Sequence, residues 1–133
     1  MKKLLFAIVC LMASFTFASC GGSTPADEAA NCIELLKNKD YDGFVETINF
    51  KGDTAEEIDQ QKAFFKELLT KKVDEMYEQM GGIESYTLVS EEVAEDGNTA
   101  KVVYEITYGD GTKKNETINL INVDGEWKQE INK

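Results

Sequence analysis

The ten residues TAKVVYEITY at positions 99–108 alternate between apolar and polar side chains. Successive side chains of a strand point to opposite faces, so Ala100, Val102, Tyr104, Ile106 and Tyr108 fall together on one face of an extended chain. A period of two predicts a β-strand with one face buried in a core. This strand decides the fold class, because its apolar face requires a covering layer.

Turn residues lie on both sides of this strand, and similar segments follow it. Gly and Asp occupy the flanking turns at 96–98 and 109–111, and the dipeptide Asp124-Gly125 predicts a tight hairpin. The chain is therefore expected to form a four-stranded antiparallel meander. The four strands are predicted from residue 83 onward and over residues 99–108, 116–123 and 126–131.

The third of these strands changes its apolar side partway along. Ile118 and Leu120 share one face, whereas Ile121 and Val123 share the other. Either a β-bulge or a strand with two apolar faces explains the change.

Helices are predicted upstream of the sheet. Thr24 with Pro25 begins a first helix that runs to about residue 37, and Asp40 caps a short second one. A capping box that begins at Thr54 opens a third, long helix, which Gly81-Gly82 ends. Its apolar stripe consists of Ile58, Phe65, Leu69, Val73, Met76 and Met80, and Phe64, Leu68 and Tyr77 widen it.

That wide apolar arc favours a long helix that packs on the sheet as well as on another helix. The predicted fold class is α+β, with N-terminal helices packed on one face of a four-stranded antiparallel curved sheet.

The N-terminus has the features of an export signal. Lys2 and Lys3 precede an apolar run over residues 4–17, which is too short to cross a hydrocarbon core of about 30 Å. Phe17-Ala18-Ser19-Cys20 resembles a bacterial lipobox, with Phe17 where leucine is commonest. The resemblance implies cleavage after residue 19 and lipidation of Cys20; the alternative is an ordinary secretory signal with an incidental cysteine.

The resulting organisation has three parts. Residues 1–19 are assigned to a lipoprotein signal peptide, residues 20–24 to the lipidated cysteine and a short tether, and residues 25–133 to a single domain. The lipid on Cys20 would hold the protein to a membrane. Gly21 is not the aspartate associated with inner-membrane retention, so the expected location is the outer membrane, with the domain facing the periplasm.

The composition excludes several function classes. The net charge is −11 at pH 7, all 14 cationic side chains are lysines and there is no histidine. Phosphate backbones would repel such a chain, so nucleic acid is not expected as a partner. Histidine, the commonest general base, and arginine, which binds anions through two parallel hydrogen bonds, are both missing. No catalytic residue, metal ligand or cofactor is assigned.

One cysteine remains after Cys10 leaves with the signal and Cys20 is acylated. Cys32 lies at helical spacing with Ala29, Ile33 and Leu36. Free cysteine is among the most buried residue types, so packing in the core is favoured over reactivity.

Three parts of this chain together resemble a known family. They are the helices, the segment Asp40-Tyr41-Asp42-Gly43-Phe44-Val45 and the ending Val123-Asp124-Gly125-Glu126-Trp127-Lys128. They are similar to small bacterial lipoproteins catalogued as lumazine-binding or domain-of-unknown-function proteins. These belong to the nuclear transport factor 2-like superfamily, which is also called cystatin-like. The resemblance covers residues 25–131 and implies a cone with a cavity between helices and sheet. It implies almost nothing about activity, and the lumazine label is carried onto no residue.

The candidate site residues follow from the apolar faces. Trp127 is expected to lie against the long helix, near Phe65 or Leu69, and to close the core. Strand tyrosines are expected to pack across strands, and the acidic clusters at 91–92, 95–96 and 124–126 to be solvated turns instead of calcium sites. The residues assigned to the cavity or core are Phe65, Leu69, Tyr86, Tyr104, Ile106 and Trp127.

Two functions are consistent with this sequence. The favoured one is a membrane-anchored envelope lipoprotein that binds an unknown protein or small molecule without catalysis. The alternative is an isomerase- or hydrolase-type enzyme that uses a carboxylate and a tyrosine in the cone cavity. An acid buried beside a tyrosine hydroxyl at the bottom of that cavity would favour the enzyme.

Overall fold

The structure, a computed structural model, describes residues 24–131 and confirms the α+β architecture. Cys20 and the segments assigned to signal and tether up to residue 23 lie outside the described residues. The helices are α1 (Pro25–Lys37), α2 (Tyr41–Glu46), α3 (Ala55–Leu68) and α4 (Asp74–Gln79), and a π-helical turn, Leu69–Val73, joins the last two. We call α3, the π turn and α4 together the long helix.

The sheet is an antiparallel meander in the order β1-β2-β3-β4. Its strands are β1 (Ile83–Val93), β2 (Thr99–Tyr108), β3 (Lys113–Val123) and β4 (Glu126–Gln129). The third strand begins three residues earlier than predicted and the fourth ends two residues earlier.

The predicted N-caps at Thr24, Asp40 and Thr54 are confirmed. The capping box at Thr54 forms only in part, because the Glu57 carboxylate accepts the Asp53 N–H at 2.9 Å instead of the Thr54 N–H. The hydroxyl of Thr24 accepts the Asp27 N–H at 3.1 Å, and the carboxylate of Asp40 accepts the Gly43 N–H at 3.0 Å. Thr54 accepts the Glu57 N–H at 3.2 Å at the start of α3. Each side chain satisfies a backbone donor that has no partner inside its helix, which fixes where the helix begins.

The sheet has one core-facing side, as the alternation predicts. Every second residue of β2 from Ala100 to Tyr108 is buried. The register between β2 and β3 is continuous, so β3 is the two-sided strand and contains no bulge. The irregularities lie in β1 instead, between Ile83 and Ser85 and between Leu88 and Ser90.

The buried side chains form two clusters with α1 between them. The sheet cluster combines Ala29 and Ile33 of α1 with the inner face of β2 and Leu120 of β3. The helical cluster combines Cys32 with residues of α2 and Leu69 of the long helix. Leu36 packs against both clusters, so α1 joins the sheet to the other helices.

The long helix differs from the prediction in what it covers. Phe64 is 66 % exposed and Leu68 is 36 % exposed, so the expected contact with the sheet is wrong for α3. It is confirmed only near the end of the long helix, where Tyr77 and Met80 pack against the sheet cluster. The reason is that α1 already occupies the inner face of the sheet, whereas α3 packs beside α2.

The π turn also changes which side chains face inward. A π turn closes i→i+5, so the buried face continues one residue later than an α-helical stripe would. Tyr77 packs against the sheet cluster, whereas Met76, which the stripe included, is exposed.

Two glycines join the end of the long helix to the β2–β3 turn. The Gly109 N–H donates to the Gly82 carbonyl and the Asp110 N–H to the Met80 carbonyl, both at 2.9 Å. A Cβ on Gly109 would lie 2.3 Å from the Gly81 carbonyl oxygen, so no other residue fits without a shift of backbone. Gly81 itself has φ +82, a left-handed conformation typical of a helix C-terminus.

Trp127 does not pack where it was expected. It lies half-buried against the sheet cluster, whereas Leu69 and Phe65 belong to the helical cluster, so the predicted position near those two residues is wrong. The physical reason is again α1, which contacts β4 and separates that strand from the long helix.

Replacing Trp127 with alanine should still lower the stability of the fold. Loss of a large aromatic side chain from a core costs about 3–5 kcal/mol, and part of that is expected for a half-buried ring. We expect thermal unfolding of Trp127→Ala to shift down by roughly 10 °C or more. The control is Lys113→Ala, whose exposed ion pair with Glu105 is worth little. Equal melting temperatures for the two variants would show that the indole does not support the core.

Candidate functional site

The six predicted cavity or core residues do not line one cavity. Tyr104 and Ile106 are buried in the sheet cluster, and Tyr86 and Trp127 pack against it. Leu69 and Phe65 lie in the helical cluster instead. Ala29 and Ile33 of α1 fill the space over the centre of the sheet, where the cone cavity was expected.

A network of hydroxyls and carboxylates lies where α1 meets β1 and β2. The Tyr86 hydroxyl donates to Glu34 at 2.7 Å, and the rings of Tyr86 and Tyr104 meet edge to face with centroids 5.7 Å apart. The Tyr104 hydroxyl donates to the Ala26 carbonyl at 3.1 Å, and Glu91 accepts the Ala26 N–H at 2.7 Å. The expected packing of tyrosines across strands is thus confirmed for this pair.

Glu91 has a structural role that the sequence did not indicate. Its carboxylate reaches the first turn of α1, where backbone donors and the positive end of the helix dipole favour negative charge. The expectation that residues 91–92 are merely a solvated charge cluster is therefore wrong for Glu91.

A second network joins α2 to the end of the long helix. The Tyr41 hydroxyl donates to Asp74 at 2.7 Å, and Lys39 pairs with Asp74 at 3.3 Å and with Glu78 at 3.0 Å. Sequence reasoning missed this site, because Tyr41 and Asp74 are 33 residues apart and neither belongs to a recognisable motif.

The electrostatics of these networks favour fixed charges over proton transfer. The hydrogen bond from Tyr41, with help from Lys39, holds the pKa of Asp74 below its usual value, which makes that carboxylate a weaker base. The hydrogen bond to Glu34 and burial raise the pKa of Tyr86 to about 12. Each hydroxyl is committed to a carboxylate inside the protein.

A second tyrosine pair lies where the long helix meets the sheet. The rings of Tyr77 and Tyr108 have centroids 5.8 Å apart, and burial raises the pKa of Tyr77 to about 12. Nearby Glu116 adds to that rise, since a neighbouring negative charge disfavours ionisation of the phenol. These phenols stay neutral at physiological pH.

Cys32 is buried, as the sequence predicted. It is 1 % exposed, and its thiol lies 3.5 Å from the Thr47 hydroxyl, which also accepts a hydrogen bond from Gln129 at 2.7 Å. Burial raises the pKa of the Cys32 thiol to about 11, so the thiolate that attacks substrates or binds metals is scarce. Cys32, Thr47 and Gln129 link α1, the end of α2 and β4.

Surface features offer the remaining candidates. A groove of about 470 Å³ lies between α2 and α3, and the ion pairs Asp42–Lys66 and Glu46–Lys62 flank it. A depression of about 380 Å³ lies at the end of the sheet, beside Glu92 and Val93. Within residues 24–131, no group of three or more acidic, cysteine or histidine side chains is arranged to hold a metal ion.

None of the helices that the structure describes has the length and apolar character needed to span a bilayer.

A similar solved structure shows the fold. The crystal structure titled "Putative NTF2-like transpeptidase" from Campylobacter jejuni superposes with a TM-score of 0.67 at 19 % identity, covering 83 % of this chain and 100 % of that chain. The fold is therefore NTF2-like. Aln2 from a Streptomyces species matches with a TM-score of 0.43 at 14 % identity, covering 81 % of this chain and 88 % of that chain.

The family follows from the sequence itself. Residues 18–130 match the family described as a domain of unknown function, DUF4878, and the chain belongs to that family. No curated protein matches the sequence.

The Tyr41–Asp74 hydrogen bond should make stability depend on pH. Because the folded protein holds the pKa of Asp74 below its ordinary 3.8, the ionised carboxylate stabilises the fold above that pH, and this contribution is lost as the pH falls through the lowered value. We expect Tyr41→Phe to destabilise the protein at pH 7 and to do so less at about pH 2.5, as measured by urea unfolding.

The control for this prediction is Tyr104→Phe. The Tyr104 hydroxyl donates to a backbone carbonyl, which does not titrate, so its loss should cost similar stability at both pH values. A destabilisation by Tyr41→Phe that is equally large at both pH values would contradict the assigned role of Asp74.

Proposed function

We propose that this protein is a lipid-anchored module of the bacterial cell envelope that binds a partner without catalysing a reaction. The anchor is Cys20, and the expected location is the outer membrane with the domain facing the periplasm. The cationic Lys2-Lys3, the apolar run at residues 4–17 and the lipobox-like residues 17–20 support this part of the proposal. The lumazine label of similar lipoproteins has no part in it.

The observation that carries the binding role is the exposed apolar side chain of Phe64. Phe64 and Leu68 lie one turn apart on the same helix, and Met76 is exposed further along it. We call Phe64 and Leu68 the exposed helix face. An aromatic ring held in water is unfavourable unless a partner covers it, and aromatic residues are enriched at the centres of protein interfaces.

The hydrogen bonds made by the tyrosine hydroxyls support binding over catalysis. A ketosteroid isomerase-type mechanism needs a carboxylate base and a separate tyrosine that is free to polarise a carbonyl. Here Tyr86 and Tyr41 each donate to a carboxylate, and Tyr104 donates to a backbone oxygen.

The name of the Campylobacter protein raises a transpeptidase as an alternative. Acyl transfer of that kind needs an activated nucleophile, such as a thiolate beside a base. Cys32 is buried beside Thr47 with a raised pKa, and the sequence has no histidine to activate a serine. These features favour the non-catalytic proposal.

Anchoring is tested by removing the acylation site. We expect Cys20→Ser to abolish metabolic labelling with a fatty acid and to leave the protein unprocessed or soluble, because the thioether needs the Cys20 sulfur. Cys10→Ser is the matched control, since Cys10 lies inside the apolar run and should leave labelling intact. Labelling that persists in Cys20→Ser would contradict lipidation at this residue.

Binding through the exposed helix face is tested with a photo-reactive side chain. Benzoylphenylalanine in place of Phe64 should give a discrete crosslinked product in cells, and the product should be lost when Leu68→Asp is added. The control places the same residue at Asp59, which is exposed on a different face of α3. A pattern of products that is the same from both positions, or insensitive to Leu68→Asp, would contradict the proposed surface.

A further inference from the structure

We infer that the outer edge of β1 binds an extended, cationic segment of another protein as a fifth strand. This surface is separate from the exposed helix face, and the inference does not depend on what that face binds. It rests on the position of β1 in the sheet, on the direction of its backbone groups, on its side chains and on its charge.

The two edge strands of the sheet differ in whether another backbone segment pairs with their outer side. The edge strand β4 is covered by the segment after α2: the Gln129 N–H donates to the Thr47 carbonyl, and the Asn49 N–H donates to the Gln129 carbonyl, both at 2.8 Å. In the part of the chain that the structure describes, β1 pairs only with β2. Its outer edge therefore presents backbone donors and acceptors without strand partners.

The direction of these groups follows from one hydrogen bond. The Ala94 N–H donates to the Thr99 carbonyl at 2.9 Å, so residue 94 faces β2. Backbone groups alternate in direction along an antiparallel strand, so the N–H and C=O of Val93, and those of Glu91 two residues earlier, point away from β2. Residues 90–93 pair with β2 in regular register beyond the bulge, so this stretch is extended and able to pair.

The side chains of β1 leave this edge accessible. Natural edge strands are commonly short, or carry lysine or proline, which discourages pairing with other chains. β1 has 11 residues, contains neither lysine nor proline, and exposes Leu88, Val89 and Val93, the last of these 44 % exposed. The bulge between Leu88 and Ser90 limits pairing at the middle of the strand but not at its end.

The charge at this end selects the partner. The depression of about 380 Å³ beside Val93 is lined by Glu92 of β1, by Lys101, which is paired with Glu92 across the strands, and by Glu130, which is hydrogen-bonded to β3. No ion pair within residues 24–131 involves either glutamate. Glu130 lies beside β3, three strands from Glu92, so a strand added outside β1 reaches only Glu92 of these two. A lysine or arginine side chain of that strand, on the face of the sheet that Glu92 shares, could place its charge near this carboxylate.

Charge also disfavours a second copy of this chain as the occupant. Antiparallel pairing of two β1 edges would bring the acidic residues of both copies together, and like charges across strands destabilise a pair. With a net charge of −11, this chain repels a second copy and attracts a cationic segment.

The test uses the full-length protein in non-ionic detergent and a fluorescent nine-residue peptide that alternates lysine with valine. We expect the peptide to bind and to slow hydrogen exchange of the Glu91 and Val93 amides. A matched peptide with glutamate in place of lysine should not bind. Glu92→Gln should bind the lysine peptide about threefold more weakly and with a smaller dependence on salt, whereas Glu130→Gln, whose carboxylate is three strands away, should bind like the wild type.

A proline substitution tests the backbone contact. Val93→Pro removes the outward N–H without removing a β1–β2 hydrogen bond, and we expect it to weaken peptide binding about tenfold. Val93→Thr is the control, since it keeps the N–H and should bind like the wild type.

Four outcomes would overturn the inference. These are unchanged binding by Val93→Pro, equal binding of the two peptides, unchanged exchange of the wild-type amides when the lysine peptide is added, and a dimer that Val93→Pro dissociates. The last result would identify a second copy of this chain as the occupant. The exchange measurement uses wild-type protein, so it decides the matter even if Val93→Pro fails to fold.

Discussion

The burial of α1 on two sides is the constraint on which the rest of the structure depends. Ala29 is fully buried against the inner face of β2, and its small side chain allows the helix backbone to lie close to the sheet. Cys32, on a neighbouring face of the same helix, is equally buried among residues of α2 and the long helix. One helix of 13 residues therefore serves two clusters, and each cluster is incomplete without it.

Polar contacts fix α1 in this position. Glu91 of β1 and the Tyr104 hydroxyl hold the first turn of the helix through the backbone of Ala26, and Glu34 accepts from Tyr86 in its third turn. These hydrogen bonds are partly buried, where breaking one leaves a group without a partner and costs more than at the surface. The same groups that could have formed an active site are thus used to orient a helix.

Because these polar groups orient α1, the candidate functional sites lie at the surface of the protein. A fold of this class can host many functions, and the function depends on the site and not on the fold. Within residues 24–131, exposed large apolar side chains lie on the long helix and on β1, and acidic groups lie at the end of the sheet. Such surfaces recognise other molecules by contact area and charge, and the mechanism needs no proton transfer.

The sequence by itself determined the local structure. The alternation at residues 99–108, the capping residues Thr24, Asp40 and Thr54, and the glycine turns predicted the order and type of the elements, because each depends on contacts within a few residues. The burial of Cys32 also followed from helical spacing. The periodicities predicted the α+β class, and the family resemblance predicted the nuclear transport factor 2-like fold, which the solved neighbour confirms. The lipid anchor at Cys20 stays a prediction.

Only the tertiary structure decided which element covers the sheet. The periodicity of the long helix shows that it has an apolar face but not which neighbour that face meets. Because α1 covers the centre of the sheet, only Tyr77 and Met80 at the end of the long helix reach the sheet cluster, Phe64 stays exposed and Trp127 is separated from Leu69. The hydrogen bonds of Tyr86 with Glu34 and of Tyr41 with Asp74 join residues 52 and 33 positions apart. No local pattern encodes such pairs, because they form only after packing has brought the elements together.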